Sequence, residues 1–501
     1  MMASLTGDRV HPVVIVGAGP AGLTAAVSLA RHGIEVLLVE RRAVGSELPR
    51  ATVLGVRNME MLRSWGLADR ILAGGVDVEM SMLEIPTVAR AAEGFRIDIG
   101  YPSPQQSAMV SPMFPACVPQ DHLESVLLEH LATLPSADVV RGLEAVDVRH
   151  APGHAVLTLR DVGSGQKFDV AAEYVIAADG AKSRIRSSLG IEHSGLDGLI
   201  EGVMTEFHAP LWELMGEHRH GVYAITDPEG GGILVPAGPD DRWLFGTDLP
   251  RDLVTDTDAV RELLQHRIER AAGLPGIPIR IDRFGWFTSA AQLADTFSSG
   301  RVYLAGDAAH RVTPRGGTGL NTAIASGRDL GWKLAWVLLG WALPDFLASY
   351  EDERRPAVAH NVNRSADPEG SRREAMSELQ VDLGGRIAHA WIDDASPSGD
   401  ARRSTIDLVG PGLTLLVGPD HEATQDDPAR PGRPPVTTTA LTPMAARALG
   451  LGRAGAVLLR PDGVPVASWW AANTSRSDVD RTIEAFLSPT PTAPLAARRT
   501  A

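Results

Sequence analysis

Residues 12–40 constrain this chain more than any other stretch. Residues 12–16 (PVVIV) form an apolar run without alternation, as expected for a parallel strand covered on both faces. Gly17-Ala18-Gly19-Pro20-Ala21-Gly22 follows with no spacer. Apolar positions then recur at helical spacing as far as Leu29, Gly33 stops the helix, residues 35–39 make a second strand, and Glu40 ends it. Each glycine has its own reason: Gly17 permits the tight turn, Gly19 lets a pyrophosphate approach the backbone, and Gly22 lets helix and strand pack closely. Glu40 stands where a carboxylate accepts a hydrogen bond from a ribose hydroxyl. Strand, glycines, helix and acid together make a dinucleotide-binding unit, whereas the glycine pattern alone is a weak signal. The unit leaves FAD and NAD equally open.

A second stretch, residues 300–335, reads as strand, glycine-rich loop and helix. A short β-rich run ends in Gly306-Asp307. The loop Pro314-Arg-Gly316-Gly317-Thr-Gly319-Leu320-Asn321 follows, and helical spacing then carries through Trp332 and Trp336. A helix N-terminus offers unpaired N–H groups and a positive dipole end, and glycines let a ring or an anion come close. The plain alternative is a tight turn before a buried helix. His310, next to the Gly-Asp pair, reads as a structural hydrogen-bonding histidine.

Between these stretches lie further candidates. Arg50 follows the second strand and suits a phosphate or a ring edge, or else is a solvated arginine. Residues 80–116 lack clear periodicity and read as strands and loops of an inserted region. Gln120 lies just before a helix for which Asp121 is a candidate N-cap, and is placed to reach a cofactor. Runs at 140–148, 155–159 and 168–170 read as short strands. Residues 173–178 form another, ending in Asp179-Gly180, where Asp179 either organises the turn or meets a ligand. Lys182, Arg184 and Arg186 beyond it suit a nicotinamide nucleotide or a solvated basic face. Residues 195–288 read as a β-rich domain whose aromatics, Tyr223, Trp243, Phe245 and Trp286 among them, line a flat apolar pocket or fill a core.

After the central stretch a polar helix runs to Pro356. A further helical region reaches about residue 393, broken at 367–370. Residues 395–400 are a Ser/Pro/Gly linker. Residues 403–487 form a small third unit with strands at 413–417 and 455–460 and a final helix at 478–487, and 488–501 read as a flexible tail.

The net charge of −15 argues against nucleic acid or an anionic membrane as partner. Cys117 is the single cysteine, so an internal disulfide, a cysteine metal cage and a dithiol couple are all ruled out. No metal site is expected. The N-terminus lacks a signal-peptide layout, and the longest apolar run, 334–343, is too short to span a bilayer. These features read as a cytoplasmic protein without a membrane anchor.

Gly17-x-Gly19-x-x-Gly22, Asp179-Gly180 and Gly306-Asp307 with the 314–321 loop, in this order and spacing, resemble the group A flavoprotein monooxygenases of the para-hydroxybenzoate hydroxylase type. Within that family the chain is most similar to bacterial hydroxylases of polyketides and other polycyclic aromatics. The resemblance implies an α/β fold: a Rossmann-like FAD-binding domain (1–194 and 289–394, with substrate-domain segments around 80–116), an inserted β-sheet substrate domain (195–288) and a C-terminal thioredoxin-like domain (403–487). It implies FAD as cofactor, with NADPH or NADH and O2 as co-substrates, and explains the lack of a second Gly-x-Gly-x-x-Gly. Gly17, Ala18, Gly19, Pro20, Ala21 and Gly22 would face the pyrophosphate and Glu40 the ribose, with Arg41 also contacting the cofactor. Arg50, Gln120 and Asp179 would contact the cofactor, and Asp307 its ribityl or phosphate side. Pro314, Gly316, Gly317, Gly319, Leu320 and Asn321 would lie by the isoalloxazine. The implied reaction is hydroxylation through a C4a-hydroperoxyflavin, with no side-chain base identified, in a monomer or homodimer. Baeyer–Villiger oxygen insertion and a non-catalytic flavin-binding role are the alternatives. The chain departs from many relatives at Ser326-Gly-Arg-Asp329, where they carry Asp-Ala-x-Asn, which bears on how that helix packs.

Overall fold

The computed structural model describes residues 9–45, 48, 51–249, 251, 256–392, 402–422, 426–470 and 474–488. Arg50, the 395–400 linker and residues 489–501 of the tail lie outside these described residues. The fold is mixed α/β with several sheets. Two compact units emerge, residues 1–331 with 353–384, and residues 332–352 with 385–501.

In the first unit, the strand Val10–Val16 lies at the middle of a parallel array. Val36–Glu40 pairs on one side and Lys167–Ala177 on the other, with Ala137–Arg141 and Val302–Leu304 beyond them. Val13, Val14 and Ile15 have no exposed surface, as an uninterrupted apolar strand requires. Lys167–Ala177 is one strand where the sequence suggested two. Its first half pairs antiparallel with His154–Asp161 and its second half parallel with Val10–Val16. The alanines at 171 and 172 look like a break by β-propensity, but ladders on both sides hold them extended.

A second sheet in the same unit runs in the order His310–Arg311, Arg280–Ala294, His193–His208, Arg242–Asp248, Gly232–Pro236, His220–Ile225, Glu79–Ile85, Phe95–Ile97. Its last two strands come from the region around 80–116. The helix Thr257–Ala272, capped by the Asp256 side chain on the Ala259 N–H at 3.0 Å, covers one face of this sheet with Val260, Leu264 and Ile268.

The helix Ala348–Ala366 continues through Pro356, where the sequence suggested a stop. Pro356 is exposed, so one lost backbone bond falls on the solvent side, while Val358 and Val362 anchor the following turn. The break at 367–370 is present, and Ala375–Leu383 follows it.

The second unit holds a four-stranded sheet. Leu413–Val417 pairs parallel with Val436–Ala440 and antiparallel with Ala456–Leu459, which in turn pairs with Pro465–Trp469. Its core includes Trp332, Trp336 and Phe346 beside Leu413, Leu415, Leu458, Val479 and Ile483, so the unit takes in residues 332–352 as well as the C-terminal stretch.

Candidate active site

Gly17, Glu40, the Asp179 turn and the Gly306 turn all follow the carboxyl ends of neighbouring parallel strands, the edge of an α/β sheet where ligands bind. Gly17 has φ +105° and lies so close to the Ala178 carbonyl that a Cβ would overlap it. A Cβ at Gly22 would overlap the Gly17 carbonyl. At Gly19 a Cβ would meet nothing within 4 Å, so the space beside the helix Pro20–Arg31 is open to a ligand. Glu40 accepts from the Ala18 N–H at 2.8 Å and, through its other oxygen, from the Arg42 N–H at 2.9 Å. Each carboxylate oxygen keeps acceptor capacity for a ribose hydroxyl. Arg41 is exposed beside it.

Gln120 opens the helix Gln120–Leu131 and donates to Glu124 at 2.7 Å, so the helix starts one residue before the expected cap: Pro119 holds the N-cap position and Asp121 lies in the first turn. Glu124 is a buried acid that the sequence reading missed. Burial pushes its carboxyl above the ordinary range, with Asp121 and Glu40 adding to the effect. Its spacing of four from Gln120, which puts both on one helix face, was the available signal. Asp179 accepts from the Arg184 and Ile185 N–H groups at 2.9 and 3.3 Å, so it organises the turn. Its Oδ1 is buried with no protein partner, and burial raises its pKa. Asp307 is exposed at the turn Gly306–Ala308.

The 314–321 loop is held by side chains from afar. Asn321 accepts from the Gly55 N–H at 2.7 Å and from Asn58 Nδ2 at 2.9 Å, and donates to the Val53 carbonyl at 3.1 Å and the Tyr101 hydroxyl at 3.3 Å. Tyr101, also missed by the sequence reading, donates to the Gly317 carbonyl at 3.0 Å. Gly316 and Gly317 have φ of +77° and +64°, conformations that favour glycine. Leu320 is buried and Pro314 exposed. The first backbone bond of the helix Gly319–Leu338 beyond the loop runs from Thr322 N to Thr318 O, so the N–H groups of residues 319–321 precede it and form the helix's donor end.

Ser326-Gly-Arg-Asp329 has a clear geometric role. Gly327 lies on the Ala21 carbonyl, too close for any Cβ, and Ser326 meets His310 Nε2 at 3.2 Å. His310 is buried, and desolvation lowers its pKa to about 3. It is a neutral structural group, as expected from the sequence.

The four aromatics named as pocket candidates fall on one face of the second sheet. Tyr223 is opposite Leu234, Leu234 opposite Phe245, Phe245 opposite Thr205, and Val203 opposite Trp286. Trp243 is two residues from Phe245 on the same strand. This is the face that the helix Thr257–Ala272 covers. Tyr223, Trp243 and Phe245 have no exposed surface and belong to its core, and Trp286 packs against them. Of the pocket and core readings, the core reading describes them. The other face carries Met204, Val222, Ala224, Ile233 and Val235, which are half-buried or exposed, the buried Met82 and Leu244, and the buried Glu206 paired with Arg242 and Arg283. Tyr101 packs against this face with Met82, Ile97, Ile99, Val222 and Ala224. Its hydroxyl on Gly317 therefore ties the uncovered sheet face to the glycine loop.

Among the described residues, no helix is long and apolar enough to cross a membrane. The chain matches the FAD binding domain family over residues 10–365. It is 32% identical over 535 residues to an aklavinone 12-hydroxylase of Streptomyces purpurascens, spanning 96% of this chain and 98% of that protein. It is 30% identical over 554 residues to a tetracenomycin B2 monooxygenase-dioxygenase of Streptomyces olivaceus, with the same coverage. A crystal structure of aklavinone-11 hydroxylase in ternary complex with FAD and aklavinone superposes with a TM-score of 0.82 at 28% identity, covering 96% of this chain and 100% of that one. An open cradle at Gly19, an acid with spare acceptor capacity at the second strand and two helix donor ends suit a dinucleotide. The chain belongs to the FAD-binding-domain family and is a group A flavoprotein monooxygenase that uses FAD, a reduced nicotinamide nucleotide and O2.

Proposed function

We propose that the chain hydroxylates a polycyclic aromatic intermediate of the polyketide type, bound against the uncovered face of the second sheet. The observation that carries this reading is Tyr101, whose ring packs on that face while its hydroxyl holds the Gly317 carbonyl of the glycine loop. A broad apolar face of half-exposed Met, Val, Ile and Ala side chains suits a flat fused-ring substrate and keeps water from the reacting ring. The substrates named for the relatives, aklavinone and tetracenomycin B2, are of this class.

Bound FAD, once reduced by NADPH or NADH, activates O2 for transfer to the aromatic ring. The residues of this chain position it. Gly17, Ala18, Gly19, Pro20, Ala21 and Gly22 receive the pyrophosphate at the helix N-terminus. Glu40 binds the ribose, Arg41, Gln120 and Asp179 make further contacts, and Asp307 holds the ribityl or phosphate side. The N–H groups of Gly319, Leu320 and Asn321 stabilise negative charge on the reduced ring, with Pro314, Gly316 and Gly317 shaping the loop. The second unit is thioredoxin-like, supported by the pairing of Leu413–Val417 with one parallel and one antiparallel neighbour. With no cysteine in it, its role is packing. The protein acts in the cytoplasm as a monomer or homodimer.

Anaerobic stopped-flow reduction by NADPH and by NADH, with and without a panel of polycyclic phenols, tests the reading. Reduction that accelerates with a polycyclic phenol supports it. Reduction that no member of the panel changes opposes it.

A further inference from the structure

We infer that Arg364 is a positioning residue for the flavin. Its buried guanidinium sets the glycine loop and places a fixed positive charge behind the ring that the loop cradles. Arg364 is only 5% exposed. Its Nη2 donates to the Ile99 carbonyl at 2.8 Å, its Nε to the Gly370 carbonyl at 2.9 Å and its Nη1 to Glu378 at 3.1 Å. The guanidinium is wedged between two glycines of positive φ. A Cβ at Gly316 would stand 2.7 Å from Nε, and one at Gly100 would stand 2.8 Å from Nη2. Gly316 belongs to the flavin loop, and Gly100 precedes the tyrosine that holds Gly317.

The segment around Arg364 grips the same loop twice more. Thr313 donates to the Ser365 carbonyl at 2.7 Å, and the Gly316 N–H donates to Ser371 Oγ at 3.2 Å. One cation thus joins the loop, the segment that leads to Tyr101 and the turn after the long helix. A lysine cannot reproduce three divergent hydrogen bonds from one planar group. Arg364 lies directly against Gly316, with Glu378 on a different nitrogen, so the positive end of the pair is the one next to the loop. In a buried setting such a charge is weakly screened and favours the anionic, reduced form of a ring bound there. His360 also meets Glu378, at 3.1 Å, from the exposed side, and Arg373 stands 4.0 Å from the same carboxylate.

The inference rests on FAD binding at this loop. The wild-type protein is therefore first titrated with FAD, and failure to bind would end the reading before any variant is made. The midpoint potential of bound FAD, the fraction of NAD(P)H oxidised without product, and the melting temperature are then compared for wild type, Arg364→Lys, Arg364→Gln and Glu378→Gln. Arg364→Gln should shift the potential to more negative values and raise the unproductive fraction several-fold. Arg364→Lys should keep the potential near wild type yet bind FAD more weakly. Glu378→Gln, which removes the counter-charge, should shift the potential to more positive values. If Arg364→Gln does not fold, the Glu378→Gln potential decides. Potentials that stay at the wild-type value while only melting temperatures fall would overturn the proposal and leave Arg364 a stabilising residue alone.

Discussion

Gly327 rests on the backbone carbonyl of Ala21, in a contact that leaves no room for a side chain. It joins the helix that follows the 314–321 glycine loop to the helix that follows the Gly17–Gly22 glycines. Gly331 repeats the contact one turn later, where a Cβ would stand 2.6 Å from Ser28 Cβ. The helices Pro20–Arg31 and Gly319–Leu338 are therefore spaced by a glycine seam. Gly327→Ala should cost roughly 1–3 kcal/mol through overpacking and weaken FAD binding with it. Denaturant melts and FAD titration of the variant check both.

Asp307 is exposed at the carboxyl edge of the parallel sheet. Asp307→Ala should lose FAD during desalting while its circular dichroism shows that it stays folded. A variant that remains fully loaded would remove Asp307 from the cofactor site.

Tyr101→Phe keeps the ring on the sheet face and deletes both the bond to Gly317 and the bond accepted from Asn321. One such bond is worth about 1 kcal/mol, or about five-fold. We expect a loss of that order in coupling of NAD(P)H oxidation to product, with little change in FAD affinity. Peroxide release per NAD(P)H oxidised is the readout.

The two faces of the second sheet predict opposite behaviour. Trp243→Ala, on the covered face, should destabilise by roughly 3–5 kcal/mol. Met204→Ala, on the open face, should chiefly change KM for the aromatic substrate. Thermal melts and steady-state kinetics on the pair separate the roles.

His193 and His310 are held neutral by burial, with pKa values lowered to about 4 and about 3 from an ordinary 6.5. The unfolded chain therefore binds more protons than the folded one below pH 6.5. Stability is present above that pH and is lost as pH falls from about 6.5 toward the folded values. Melting temperatures should drop steeply between pH 6.5 and 4, and His310→Asn should flatten the slope.

How much of this was legible in the sequence depends on the distance over which each feature is determined. Gly17, Gly19, Gly22 and Glu40 lie within one strand–helix–strand unit, and local pattern was enough to read them. The same holds for the 314–321 loop, whose glycines precede the apolar spacing of one helix. The facing of Trp243 and Phe245 was not local. Alternation puts them on one side of their strand, but only the packing of the helix Thr257–Ala272 decides which side is closed. Tyr101 and Arg364 act on a loop more than 40 residues away in sequence from either of them, and no window of sequence links them. The run from Lys167 to Ala177 misled because propensity cannot see two ladders on one strand. Pro356 misled because a proline on a helix's solvent side costs one bond that buried neighbours offset.

The most direct test of the account is turnover of a polycyclic phenol with NAD(P)H under 18O2, followed by mass spectrometry before and after alkaline treatment. The account predicts a product heavier by one 18O atom whose ring system survives base. Unlabelled substrate accompanied only by peroxide, or a labelled product that base opens as an inserted ester, would contradict it.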